Sequence, residues 1–136
     1  MTLPLLVLGL AAPAAYADQT PSPKGAEAYF ISPNDGDVLP SGKFQIQFGM
    51  RNMGVAPAGV KREKTGHFHL IVNKDLPPLT EHIPADKNHI HYGGGQIETV
   101  VDLPPGKHTL QLLLGDHNHA PHNPPVYSKK ITVTVK

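Results

Sequence analysis

The chain has 136 residues, enough for one domain with a single hydrophobic core. Its 12 basic and 11 acidic residues nearly balance, so the charge gives no sign of nucleic acid or an anionic membrane surface as a partner. The absence of cysteine excludes disulfides and thiolate centres, including cuprous or blue-copper sites that need a cysteine ligand. The 13 glycines and 15 prolines are dispersed between apolar runs, which favours a turn-rich β domain.

The N-terminus has the pattern of a secretion signal. An apolar run at 3–10 is too short to span a bilayer, and a small-x-small cleavage motif follows at 15–17, so we expect cleavage before Asp18. The usual basic residue before the run is missing, which points to a true start further upstream. We therefore expect a periplasmic or secreted protein without a membrane span after cleavage. The expected parts are a signal peptide at 1–17, a flexible leader at 18–28 and a single domain at 29–136.

Apolar and polar residues alternate along most of the remaining chain. At 43–48, for example, Phe44, Ile46 and Phe48 alternate with glutamines, which is typical of a half-buried strand. No segment shows a helical period, and long loops are expected at 50–66, 74–87 and 115–127. The pattern predicts an all-β, immunoglobulin-like antiparallel β-sandwich of about seven to eight strands. The predicted strands cover 29–31, 38–39, 43–48, 67–73, 88–92, 96–103, 107–114 and 130–136.

Histidines occur in a repeated spacing. Nine histidines placed at random would give about 0.6 His-x-His pairs, whereas the chain has three. Alternate side chains of a strand share one face, so each pair presents two imidazoles to the same side. Imidazole nitrogen is a common ligand of zinc and copper(II). The three pairs are His67/His69, His89/His91 and His117/His119.

Strand phase turns these histidines away from the predicted core. Phe68 begins the apolar face of the strand at 67–73, so His67 and His69 point to the other side. Ile90 is the inward residue of the next short strand, and the last histidines fall in a loop. Core packing therefore does not explain them, and a metal site at one face or end of the sandwich does. The predicted ligand pool is His67, His69, His89, His91, His117, His119 and His122.

Two carboxylates flank this pool. Asp86 and Asp116 are expected to serve as oxygen ligands, or as acceptors that hold an imidazole in the required tautomer. His82 and His108 lack the paired spacing and are expected to be ordinary polar residues. One tetrahedral site cannot use every candidate, so two sites, or one site with supporting histidines, both fit the sequence.

Six short stretches carry a family resemblance that covers nearly the whole chain after the signal. They lie at 30–33, 53–59, 66–70 (Gly-His-Phe-His-Leu), 83–86, 89–96 (His-Ile-His-Tyr-Gly-Gly-Gly-Gln) and 112–119 (Leu-Leu-Leu-Gly-Asp-His-Asn-His). The chain resembles a family of small exported bacterial domains with a domain-of-unknown-function label, some of which are mislabelled as rod shape-determining proteins. Many relatives have three consecutive histidines where Phe68 interrupts the first motif here. The label implies no established activity.

Three kinds of function fit these residues. We favour an exported protein that binds copper(II) or zinc for buffering, delivery or resistance, with an exported metalloprotein or a transporter as its protein partner. The alternative is a ligand- or protein-binding sandwich whose histidines form a structural hydrogen-bond network. A small metalloenzyme is the third, and it is less favoured because the chain has no nucleophile elbow, phosphate loop or His-Glu-x-x-His motif. Geometry separates the first two, since a shared metal requires the imidazole nitrogens to lie close together.

Overall fold

A computed structural model describes residues 19–136, and the predicted signal peptide lies outside this range. Within it the chain forms nine strands and no helix, hence no helix that is long and apolar enough to cross a membrane. The strands are β1 (Glu27–Ser32), β2 (Val38–Leu39), β3 (Lys43–Arg51), β4 (Gly54–Val55), β5 (Thr65–Val72), β6 (His89–His91), β7 (Glu98–Asp102), β8 (Gly106–Gly115) and β9 (Ile131–Val135).

The strands form two sheets. One has the order β1-β3-β7, and the other has the order β2-β9-β8-β5-β4, with β6 also paired to β5. All pairs are antiparallel except β2 with β9 and β4 with β5. This arrangement confirms the predicted immunoglobulin-like antiparallel sandwich. The strand beyond the predicted eight is the two-residue β4, which lies inside a predicted loop.

The main core lies between the two sheets, where the predicted alternation places it. Phe44, Ile46 and Phe48 of β3 are buried against the apolar face of β5. The Phe48 and Phe68 ring centroids lie 5.0 Å apart, and the Tyr92 ring lies 5.2 Å from Phe48. The exposed or half-buried glutamines of β3 occupy its opposite face. Successive side chains of a strand point to opposite faces. Because Phe68 and Leu70 of β5 face the main core, His67 and His69 must lie on the opposite face of the sheet.

The other face of the larger sheet is also covered. Ile71, Ile83 and Leu113 form a second, smaller apolar cluster there, with Leu76 and Leu79 packed against it. Residues 76–83 belong to the loop between β5 and β6. Strand β5 is therefore buried on both faces from residue 66 onward. His67 and His69 on this second face lie off the main core, as predicted, but they are buried and not on the surface.

Candidate metal centre

Strand pairing brings two of the histidine pairs side by side. His69 on β5 is the register partner of His91 on β6, and His67 lies two residues before His69 on the same face. A third contributor, His119, comes from the loop after β8, whose last residue, Gly115, is the register partner of His67. The convergence therefore depends on two antiparallel pairings of β5, one on each side of it.

Three imidazole nitrogens meet at this point. The Nε2 atom of His91 lies 3.1 Å from Nε2 of His67 and 3.0 Å from Nε2 of His119. One ligand nitrogen from each of the three histidines lies within 4.8 Å of the other two. Nitrogens bound tetrahedrally to zinc at 2.0–2.1 Å would be separated by about 3.3 Å. The two contacts of His91 need only a small expansion to reach that spacing, and the ligand nitrogens of His67 and His119 lie within 4.8 Å of each other. We call His67, His91 and His119 the histidine triad.

Hydrogen bonding alone satisfies the triad poorly. A neutral imidazole nitrogen has either one proton or one in-plane lone pair, so Nε2 of His91 cannot make two well-directed bonds to its two neighbours. Among the described residues, Nδ1 of His67 is also buried without a hydrogen-bond partner. A metal ion would replace the crowded Nε2 contacts with directed bonds. It would also require the proton of His67 to reside on this unpartnered Nδ1, which costs about 1–3 kcal/mol.

His69 packs beside the triad without joining it. Its ring centroid lies 4.7 Å from that of His67 and 5.0 Å from that of His91. The separation from His119 is larger, 6.2 Å. His69 is 1% exposed and its Nδ1 lacks a hydrogen-bond partner among the described residues. Its ring forms part of the buried wall behind the triad.

Glycines make room for the rings. A Cβ at Gly93 would lie 2.4 Å from Cε1 of His91, and a Cβ at Gly115 would lie 2.8 Å from Cε1 of His69. Neither contact is compatible with the present ring positions. Neither glycine is predicted as a site residue from the sequence, although both lie in the histidine motifs at 89–96 and 112–119.

Burial and crowding keep the inner rings neutral. Burial, followed by the charges of His91 and His119, lowers the pKa of His67 from 6.5 to about 4. Burial, followed by the charges of the neighbouring histidines, lowers the pKa of His69 to about 2. The pKa of His91 is lowered as well, by desolvation and then by His119. Neutral imidazoles retain the lone pairs that a metal requires.

The side of the triad that faces solvent is formed by two members. His91 is exposed and His119 is half-buried, whereas His67 is fully buried. A metal at the triad would thus have a buried ligand behind it and an accessible side in front. Three nitrogen ligands leave one tetrahedral position for water or another donor.

Asp116 organises the turn that presents His119. Its carboxylate accepts hydrogen bonds from the backbone N–H groups of Asn118 at 2.8 Å and Ala120 at 3.1 Å, and from the Thr20 hydroxyl at 2.7 Å. Burial would raise the pKa of Asp116, but these hydrogen bonds outweigh it and hold the pKa below its usual value. The aspartate orients the backbone around His119 rather than an imidazole. Thr20 could not be predicted from the sequence, because nothing in the leader marks its partner 96 residues away.

Asp86 and His89 form a separate pair. Nδ1 of His89 lies 2.8 Å from Oδ1 of Asp86, and the same oxygen accepts the His89 backbone N–H. His89 is the register partner of Ile71, two register pairs further from the triad than His91. Asp86 thus orients the imidazole of His89, as predicted for a carboxylate that accepts from a ring nitrogen, but that imidazole lies outside the triad.

The remaining histidines also lie outside the triad. His122 is fully buried and its Nε2 donates to the Thr65 carbonyl at 3.1 Å. His117 is half-buried, and its carbonyl accepts the N–H of Gly59. Of the seven predicted ligands, the structure brings the nitrogens of three together and packs a fourth ring, that of His69, beside them. His82 is exposed near Asn118, and His108 is fixed between Asn73 and the Pro104 carbonyl.

Comparison with known proteins gives a family but no activity. The chain is similar to the fibronectin(III)-like modules of Clostridium thermocellum CbhA, with 13% identity and a TM-score of 0.39, over 79% of this chain and 92% of that one. The fold assignment depends on strand order and not on this likeness. No curated protein matches the chain. The family model described as "Domain of unknown function (DUF4399)" matches residues 46–136, which contain every histidine of the site. The chain therefore belongs to the domain-of-unknown-function family DUF4399.

Proposed function

We propose that this protein is an exported metal-binding module that takes up copper(II) or zinc at the histidine triad for buffering, delivery or resistance. The observation that carries the proposal is the convergence of three Nε2 atoms, with separations of 3.0 and 3.1 Å on either side of His91. Both metals accept neutral imidazole nitrogen in this number and arrangement. Export follows from the signal-like N-terminus and remains part of the proposal.

The different burial of the triad members supports a site that binds a metal ion and can also release it. His67 anchors the metal from inside the fold, and the exposed His91 gives the ion a route to and from solvent. An open coordination position allows a donor from an exported metalloprotein or a transporter to join before the ion leaves. Buffering and delivery both require such exchange, whereas a closed structural site would hinder it.

The competing function is a structural hydrogen-bond network on a ligand- or protein-binding sandwich. It is favoured by the Nε2 contacts themselves, because His91 could accept from both neighbours in a bifurcated arrangement. In that case the triad would tolerate replacement by other hydrogen-bonding residues, and metal would bind no better than to any surface histidine.

Metal titration of the purified protein at neutral pH tests the proposal. Copper(II) and zinc are titrated separately by calorimetry against the wild-type protein and the double variant His91→Ala/His119→Ala. We expect one tight site in the wild-type protein and a loss of at least about 100-fold in the double variant, because two of three ligands are removed. Wild-type binding no tighter than that of the double variant would refute the proposal.

His82→Ala is the matched control. His82 is an exposed histidine whose Nε2 lies 3.4 Å from the Asn118 amide, outside the triad. Its replacement should leave the affinity for either metal within about twofold of wild type, since a metal site needs three or four protein ligands and His82 is not among those of the triad. An equal loss in this control would show that the titration reports general histidine content.

A further inference from the structure

The residues at 19–22 lie against the loop that presents His119. We call this segment the N-terminal strap. It precedes β1, and its side chains donate hydrogen bonds to residues that lie 60 to 102 positions away along the chain. The side-chain amide of Gln19 donates to the Leu79 carbonyl at 2.7 Å and to the Pro121 carbonyl at 3.3 Å. Two backbone hydrogen bonds join the strap to Asn123, whose N–H donates to the Thr20 carbonyl at 3.0 Å and whose carbonyl accepts the Ser22 N–H at 3.4 Å. The Ser22 hydroxyl donates to the Pro124 carbonyl at 2.6 Å.

One strap side chain contacts the aspartate beneath the His119 turn. The Thr20 hydroxyl donates to Oδ2 of Asp116 at 2.7 Å. Asp116 is 2% exposed, and its other oxygen, Oδ1, accepts the backbone N–H groups on either side of His119. The hydroxyl thereby fixes the orientation of the carboxylate, and the carboxylate fixes the turn.

The turn needs this support because of its backbone conformation. His119 has a φ of 61°, in the left-handed region that non-glycine residues rarely adopt. Its own N–H donates to the Asp116 carbonyl at 3.0 Å, and its carbonyl accepts the N–H of Ile83 at 2.8 Å. A looser turn would let His119 relax toward an extended conformation and move its Nε2 away from the triad.

We propose that Thr20 is a positioning residue for the metal site and acts through Asp116 on His119. This inference rests on the proposed metal binding and adds a coupling between the N-terminal strap and the affinity of the triad. By reciprocity, a bound metal stabilises the strap against the fold to the same extent.

The experiment compares metal affinity in Thr20→Val, Thr20→Ser and Ser22→Ala by zinc and copper(II) titration of the full chain. Thr20→Val keeps the shape and removes the hydroxyl, Thr20→Ser keeps the hydroxyl, and Ser22→Ala removes a strap hydroxyl that does not contact Asp116. We expect about a 10- to 100-fold loss in Thr20→Val, recovery to within about threefold in Thr20→Ser, and wild-type affinity in Ser22→Ala. Circular dichroism checks folding, and Thr20→Ala replaces Thr20→Val if the latter does not fold.

Electron paramagnetic resonance of the copper(II) forms separates positioning from stability. Loss of His119 should reduce the coordinated nitrogens from three to two in Thr20→Val, a change that lower fold stability alone would not produce. Wild-type affinity in Thr20→Val, an equal loss in Ser22→Ala, or an unchanged spectrum would each overturn the inference while metal binding stands. Failure of the wild-type protein to bind either metal would overturn both proposals.

Discussion

At the scale of single residues, burial decides the charge of the inner histidines. His67 and His69 are 0% and 1% exposed, and their pKa values are lowered to about 4 and about 2. Both imidazoles are therefore neutral at neutral pH. This neutrality benefits metal binding, since a protonated imidazole has no lone pair to donate. It also makes the fold sensitive to acid.

The metal-free protein should lose stability as the pH falls from 7 to 5. Both folded-state pKa values lie below the unfolded value of about 6.5, so the unfolded chain takes up protons first. Stability is greatest above the unfolded pKa, and below it each residue lowers the free energy of unfolding by about 1.4 kcal/mol per pH unit. Urea denaturation at several pH values should give a combined slope approaching about 2.7 kcal/mol per unit near pH 5.

His69→Gln supplies the control for this slope. Glutamine does not titrate and is close in size, so the variant should lose the part of the slope that His69 contributes, about 1.4 kcal/mol per pH unit, and keep the rest. A free energy of unfolding that is constant between pH 7 and 5 in the wild-type protein would contradict the assignment of these two residues as buried and neutral.

At the scale of elements, the bend between β6 and β7 limits where the His91 ring can lie. Gly93 contacts this ring so closely that any side chain would displace it, and the exposed ring can move without disturbing the core. At Gly94, by contrast, an added Cβ would lie 3.1 Å from Oε1 of Gln96, the end of a flexible side chain that can move aside. The two adjacent glycines thus differ in their relation to the triad although both lie in one turn.

Gly93→Ala should weaken zinc and copper(II) binding by about tenfold or more, because the added methyl group pushes a ligand ring off the site. Thermal unfolding of the metal-free variant should change little, by about 1 kcal/mol or less, since the displaced ring is exposed. Gly94→Ala is the matched control and should bind metal as the wild-type protein does. Equal affinities of the two variants would show that the position of the His91 ring does not matter.

The strands and the orientation of their side chains were predictable from sequence, whereas the composition of the triad was not. Alternation around Phe68 correctly turned His67 and His69 away from the main core. Their burial was not foreseen, because it depends on a loop whose apolar residues pack on the outer face of the sheet. The exclusion of His89 follows from the β5–β6 register and from Asp86, and neither can be derived from a His-x-His spacing.

At the scale of the whole molecule, the triad joins parts of the chain that are distant in sequence. His67 and His91 come from neighbouring strands, and His119 comes from a loop that also contacts the N-terminal strap. A metal ion held by all three histidines binds the folded state and not the unfolded chain, in which these residues are far apart. Metal binding should therefore stabilise the entire fold and not only the loop.

Zinc should raise the melting temperature of the wild-type protein, and the rise should grow with the logarithm of the free zinc concentration above Kd. At a free concentration of about 100 times Kd, the added stability is about 2.7 kcal/mol, which corresponds to about 10 °C for a domain of this size. Differential scanning calorimetry with and without zinc measures the shift, and His91→Ala/His119→Ala should show almost none. A similar shift in both proteins would place the stabilising ion elsewhere.

The location of a bound metal tests the central claim most directly. Crystals grown with zinc or copper(II), measured at the absorption edge of the metal, would give an anomalous peak at its position. We expect one peak about 2.0–2.1 Å from the Nε2 atoms of His67, His91 and His119. The absence of a peak there, or a peak confined to His82 or His117, would contradict a metal centre built from the histidine triad.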